Sequence, residues 1–322
     1  MRAGNAGIVA SFAISIAAIV IGAFFTYVPE IGSAARAERN HLATLTLREA
    51  PFDERFEERA QIVNRLLSGN SLERLPAPLF TAEPRPAPKI IIIFDDIGLD
   101  RRTFEIITHL PGPLTLSFLP YADNVDELAR IASDRGDDVM LHLPMEPVGD
   151  ADPGPNALRS DMTGVEFVTA LDWNLSRIEY FVGVNNHMGS ALTADRAAMT
   201  TVLAHLQSEG LFFLDSVTTP HSVARAAGAA ADAEVFSRDV FLDADPKDKN
   251  AIREQLALAE RIARETGYVV AICHPRKETL DVVGPWLVSA PARGFELAPV
   301  SALLELNKPE PLVATAAPRL RG

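Results

Sequence analysis

The sequence predicts an α/β fold: a distorted parallel (β/α) barrel of about seven strands over residues 89–306. Three observations lead there. Short apolar runs rich in β-branched residues alternate with stretches of helical period, the pattern of a parallel sheet with crossover helices. The strongest run, Ile90-Ile91-Ile92-Ile93-Phe94, is apolar at every position, which predicts a strand buried on both faces. Strand after strand is then followed by an acid, an imidazole or an amide, and the carboxyl ends of parallel strands are where such folds gather their chemistry. A doubly wound open sheet of the same strands is the alternative architecture.

The chain of 322 residues, 48% hydrophobic, is long enough for one large domain with appendages. Its net charge of −13 argues against a nucleic-acid partner, which it would repel. The single cysteine, Cys273, excludes an internal disulfide and a cysteine-rich metal site.

Residues 1–6 precede an uncharged stretch, 7–28, which as a helix spans about 33 Å and is expected to anchor the chain in a membrane. Tyr27 falls at its interfacial end and Pro29 stops it. Arg2 favours a cytoplasmic amino terminus, so the remainder is expected on the periplasmic side of the inner membrane. Ala35-Arg36-Ala37 has the small-x-small form of a cleavage site; cleavage there would release the domain into the periplasm. Residues 29–88 are expected to form a stalk and a linker, stiffened by Pro76, Pro78, Pro84, Pro86 and Pro88.

From Lys89 the elements follow in order. Strands are expected at Ile90–Phe94, Leu114–Leu119, Val139–Leu143, Phe181–Val184, Leu211–Leu214, Val235–Leu242 and Tyr268–Cys273, with a last short one at Phe295–Pro299. Helices are expected at Thr103–His109, Asn124–Asp134, Thr163–Ile178, Arg196–Glu209, Pro220–Ala231, Asn250–Thr266 and Thr279–Ala290. Residues 307–322 are Ala- and Pro-rich and are expected to be a disordered tail.

Five strand ends carry the chemistry: Asp95 and Asp96; His142 with Glu146; Asn186 and His187; Asp215; and His274. In a parallel barrel these ends meet on one face. His, Asp and Glu together form a ligand set suited to a divalent, zinc-like ion with an open position. Such an ion polarises a carbonyl, one carboxylate takes a proton from water, and a histidine across the site protonates the leaving group. Each residue also has a plain structural reading. Asp95 and Asp96 suit a turn and a helix cap, Asp215 a cap, and His109 and His205 ordinary helix positions. Three imidazoles at equivalent strand ends, opposite an Asp pair, favour the site.

Phe94-Asp95-Asp96-Ile97-Gly98, His142-Leu143-Pro144-Met145-Glu146-Pro147, Asn185-Asn186-His187-Met188-Gly189-Ser190, Leu214-Asp215-Ser216 and His274-Pro275-Arg276 together resemble the divergent polysaccharide deacetylase family. The resemblance implies a distorted barrel that uses a divalent metal, zinc, to remove acetyl groups from an N-acetylated polysaccharide or oligosaccharide. It implies Asp95 as base, Asp96 and His142 as metal ligands, and His274 as general acid. The superfamily's His-x-x-x-His survives as His142-x-x-x-Glu146, and its Arg-Pro-Pro-Tyr motif is missing. His187 is therefore assigned the remaining ligand position, with Glu146, Asn186 and Asp215 as supporting or substrate-contacting residues. The same departures suit a second function, an envelope protein of this fold that binds glycan or a protein partner without catalysis. A metal-free glycosidase using two carboxylates is weaker, because it leaves three histidines without a role.

Overall fold

A computed structural model of the chain describes residues 54–68 and 86–307. The expected anchor at 7–28, most of the stalk and linker, and the tail from 308 lie outside the described residues. Among those described, no helix is long and apolar enough to cross a membrane.

The helices are α1 Glu54–Leu67, α2 Arg101–Ile107, α3 Val125–Asp134, α4 Gly164–Leu175, α5 Arg196–Ser208, α6 Ala224–Ala231, α7 Lys249–Thr266, α8 Lys277–Ser289 and α9 Ala302–Leu306. The strands are β1 Lys89–Ile97, β2 Thr115–Phe118, β3 Asp138–Met145, β4 Gly183–Met188, β5 Phe212–Asp215, β6 Val235–Ser237, β7 Val240–Phe241, β8 Tyr268–Cys273 and β9 Glu296–Leu297. They form one parallel sheet in the order β6-β5-β4-β3-β2-β1-β8-β7, with β9 beside the start of β1.

The sheet is curled into a barrel, and the chain itself requires it. β6 and β7 are the two edges of the sheet, yet Arg238 and Asp239 alone separate them. Three peptide steps span at most about 11 Å, so the edges must come together. The sequence predicts one sixth strand over Val235–Leu242; it is two strands, broken at Arg238-Asp239, which close the barrel from opposite sides. An open doubly wound sheet would hold its edges far apart.

Alternation along each strand sorts the side chains into two layers. Ile90, Ile92 and Phe94 of β1 pack outward under the helices, with Leu141 and Leu143 of β3 and Val269, Ala271 and Cys273 of β8. Ile91, Ile93, Met140, Phe212, Leu214, Val270 and Ile272 fill the barrel interior. Gly183 belongs to that inner layer because a Cβ there would stand 2.6 Å from the Phe212 ring. Ala298, Val300 and Leu303, from the segment after β9, join the same cluster. The inward rows thus begin apolar, and the next inward positions toward the carboxyl ends are Asp95, His142, Asn185 and His274.

The folded unit begins before Lys89. The part of helix α1 from Glu58 on, assigned from sequence to the stalk, belongs to the same compact unit as the barrel. Arg59 donates to both oxygens of Asp239, at 3.0 and 2.7 Å, and its guanidinium lies 3.9 Å from the centre of the Tyr268 ring. Asp239 also accepts from the backbone N–H of Val270 at 2.8 Å, so the residue that separates the two sheet edges holds the helix as well. Isolated apolar residues in a charged stretch gave no sign of that partner.

A second carboxylate fastens α7 to the chain after α8. Glu260 is buried and accepts from Trp286 Nε1 at 2.9 Å and from Arg293 at 2.8 and 2.7 Å. Burial would raise its pKa, but Arg293 and Trp286 outweigh burial and hold it below its ordinary value. A carboxyl depressed in the folded state contributes stability above its unfolded pKa and loses it as pH falls through the folded one. Glu260→Gln is expected to lower stability by about 1–3 kcal/mol at pH 7, and the difference should shrink below about pH 4. Urea unfolding of both proteins at several pH values checks this; a difference that grows toward low pH would contradict it.

Candidate active site

The Asp pair owes its geometry to an extra residue in β1. Phe94 pairs with Leu116 and Ile97 with Phe118, so three steps along β1 match two along β2. Simple alternation would turn Asp96 outward, away from the inward Asp95. Asp96 instead takes a left-handed backbone, φ 58°, which Asp tolerates better than most residues. That twist brings both carboxylates to one cavity, and Gly98, at φ 115°, makes the turn that follows. Met188 and Val217 on the cavity wall are also left-handed, at φ 54° and 50°. Such a backbone is strained for a β-branched residue like Val217, and strain of this kind collects at functional sites.

Asp96, His142 and His187 converge in a metal-capable group. Asp96 Oδ1 stands 3.3 Å from His142 Nε2 and 3.0 Å from His187 Nδ1. All three ligand atoms lie within 4.8 Å of one another. Asp96 Oδ1 is buried without a hydrogen-bond partner although both nitrogens are near, because neither contact has hydrogen-bond directionality. Two atoms on one tetrahedral ion at bond lengths of about 2.0 Å would sit about 3.3 Å apart, close to these separations. The orphaned oxygen and its two neighbours therefore fit a divalent ion. His142 Nδ1 lies 2.9 Å from Asn185 Oδ1, an acceptor, which puts the proton on Nδ1 and leaves the Nε2 lone pair facing Asp96. Burial alone would raise the Asp96 carboxyl, but His142 and His187 hold it far below the usual carboxylate range. It is an anion ready for a cation.

Asp95 lies deeper. Its Oδ1 accepts from Asn185 Nδ2 at 2.9 Å, and its Oδ2 is 3.7 Å from His142 Nε2. Burial pushes its pKa above the ordinary value even against the pull of the two nearby imidazoles. A carboxylate made more basic by burial suits proton abstraction. Asn185 ties this corner together, since it also receives the Ser117 hydroxyl and donates to Ser216 Oγ at 3.2 Å.

His274 closes the other side, with Nε2 3.6 Å from Asp96 Oδ2. Asp243, fully buried, faces His274 Nδ1 at 3.2 Å, accepts from the His274 backbone N–H at 2.9 Å and receives the Thr279 hydroxyl at 3.0 Å. Burial would lower the imidazole's pKa, but Asp243, Asp95 and Asp96 together raise it. The carboxylate fixes the Nδ1–H form and turns Nε2 toward the cavity, as an orienting acid does. Asp243→Asn is expected to lower turnover by about 10²-fold with little change in KM, because the ring loses its fixed tautomer. Steady-state kinetics decide it, and an unchanged turnover number removes Asp243 from the machinery.

The cavity, about 480 Å³, is lined by Asp95, Asp96, His142, Asn186, His187 and His274, which brings six of the eight sequence candidates together. Asn186 donates to the Met188 carbonyl at 2.7 Å and accepts from the Ser216 N–H at 2.8 Å, so it shapes the rim. Glu146 and Asp215 are not on the cavity wall. Glu146 turns to the β3–α4 loop, where it accepts from Ser160 N and Oγ at 2.7 and 2.6 Å. Asp215 accepts from Val217 N and Ser222 Oγ and so holds the strained turn behind the wall. Asn185 and Asp243 were not singled out from sequence. Inward parity with His187 would have found Asn185, and the polar end of the split sixth strand would have pointed to Asp243. His205 and His109 lie elsewhere, paired with Asp172 and with the Glu105 carbonyl.

Comparison with known proteins bears on the family and the fold. The family model described as divergent polysaccharide deacetylase matches residues 92–304. The chain is 33% identical over 242 residues to the uncharacterized protein YibQ of Escherichia coli strain K12, covering 75% of this chain and 74% of that one. It is 30% identical over 213 residues to an uncharacterized protein of Haemophilus influenzae, covering 66% and 76%. Among solved structures, an uncharacterized protein from Agrobacterium tumefaciens C58 superposes with a TM-score of 0.65 at 26% identity, covering 69% of this chain and 91% of that one.

Proposed function

The chain belongs to the divergent polysaccharide deacetylase family, and we propose that it is a metal-dependent hydrolase removing acetyl groups from an N-acetylated glycan of the cell envelope. One observation carries the proposal. Asp96 Oδ1, buried and without a hydrogen-bond partner, faces two imidazole nitrogens, with a deep carboxylate on one side and an oriented imidazole on the other. Asp96, His142 and His187 would hold the ion, and their hard oxygen and nitrogen donors suit zinc. When bound, the ion supplies Lewis-acid polarisation of the acetamide carbonyl and a more acidic water.

The remaining steps belong to the chain's own side chains. Asp95, fixed by Asn185 at one oxygen, takes the proton of the attacking water on the other. His274, held by Asp243, gives its Nε2 proton to the departing amine. With both Asn186 N–H groups taken by the Met188 carbonyl and Thr218, a backbone N–H of the cavity wall would steady the developing oxyanion. The uncharged stretch at 7–28 supports a single-pass anchor in the inner membrane with the domain facing the periplasm, or release there after cleavage near Ala37.

The test is metal analysis of the purified chain together with acetate release from N-acetylated amino-sugar oligomers. Stoichiometric zinc and chelator-sensitive acetate release are expected. A metal-free protein that binds such oligomers without releasing acetate is instead the non-catalytic envelope protein. Chelator-resistant cleavage between the sugars would point to a glycosidase.

A further inference from the structure

The cavity wall carries a cation that the deacetylation scheme does not use. Arg238 lies between β6 and β7, half-buried, and lines the same cavity as Asp95 and Asp96. Its Nε donates to the Ser216 carbonyl and its Nη2 to the Val217 carbonyl at 2.9 Å, while its guanidinium stands 4.9 Å from the Phe241 ring centre. These contacts use two of its five N–H groups and bring no negative charge. Arg59, also half-buried, has a carboxylate at 2.7 Å; Arg238 has none within 4.0 Å among the described residues, and the charges of Asp215, Asp95 and Asp239 act on it from farther off. Burial outweighs those distant carboxylates and holds the guanidinium's pKa below its ordinary value, so a cation with no carboxylate in contact is only partly compensated. Arg276, 45% exposed and 4.0 Å from the already occupied Asp243, adds a second guanidinium at the mouth.

Resting on the deacetylase reading above, we infer that the glycan accepted here carries a carboxylate close to the reacting acetamido group, and that Arg238, helped by Arg276, pairs with it. The anion is a carboxylate and not a phosphate because one guanidinium with no carboxylate in contact matches one negative charge. A dianion would bring a surplus charge toward Asp95 and Asp96. The free edge of the guanidinium fork suits a carboxylate's two oxygens. With −13 on the whole chain, a local cation is also what lets an acidic sugar approach at all.

The experiment compares two probes on the full chain by titration calorimetry. One is an oligosaccharide of N-acetylhexosamines with ether-linked carboxylates; the other is its methyl ester. The acid is expected to bind about tenfold tighter than the ester, with the preference falling as salt rises. Arg238→Gln should remove most of that preference and Arg276→Gln a smaller part, with the ester's affinity unchanged. Equal affinities for acid and ester on the wild-type chain overturn the inference without any variant, as does a preference that survives both substitutions, or failure of the acid to bind. Acetate release is followed in parallel. Release from both probes without an acid preference overturns the carboxylate pairing and leaves deacetylation standing. An arginine-dependent acid preference with no acetate from either probe does the reverse.

Discussion

Asp96→Asn is expected to cost about 10²-fold or more in zinc affinity and to abolish acetate release with it. The amide is the informative replacement because Asn, like Asp, occupies the left-handed backbone held at this position, φ 58°. Alanine there would add backbone strain of about 1 kcal/mol and blur the reading. The substitution removes the charge that faces His142 Nε2 and His187 Nδ1 and leaves the bulge of β1 in place. His187→Ala should lose metal to a similar degree, whereas Glu146→Gln should leave it unchanged, since Glu146 serves the Ser160 loop. Equilibrium dialysis against zinc compares the three. Full metal binding by His187→Ala with loss in Glu146→Gln would falsify the ligand assignment and restore the spacing His142-x-x-x-Glu146.

What the sequence made legible follows from periodicity. The run Ile90–Phe94 told of burial on both faces, and the structure divides those residues between the helix layer and the barrel interior as alternation requires. His142 and His274 lie one inward step beyond apolar neighbours, so their place on the cavity could be read from strand parity. Asp96 could not. Parity puts it on the wrong face, and a left-handed residue inside a strand corrects that, which no local propensity announces. The split of Val235–Leu242 was hidden for a related reason. Ser237-Arg238-Asp239 interrupts its apolar residues, but composition does not say whether such a run bends one strand or ends it; the break at Arg238-Asp239 is imposed by closure of the barrel and by the partners those two side chains find far along the chain. Glu146 shows the opposite error. Its spacing matched a ligand motif, but β3 ends at Met145 and the next side chain follows the loop. Spacing places a residue relative to a strand; where the strand stops decides whether that relation holds.

The second large effect separates catalysis from metal binding. Asp95→Asn is expected to keep zinc within about tenfold of wild type and to lower turnover by about 10²–10⁴-fold, the range lost when a general base is removed. The amide is close to isosteric, and its oxygen can still accept from Asn185 Nδ2 where Asp95 Oδ1 does now. The cavity therefore keeps its shape, and KM should change little while the turnover number falls. The fold should if anything gain stability, because burial alone makes the charged form of Asp95 costly. Thermal unfolding, zinc content and initial rates measured on one preparation test all three parts. A variant that holds zinc, melts no lower and still releases acetate at the wild-type rate would place the base elsewhere. Asp96 is already committed to the imidazoles and held strongly acidic by them, so no other carboxylate on the cavity wall stands ready for the task.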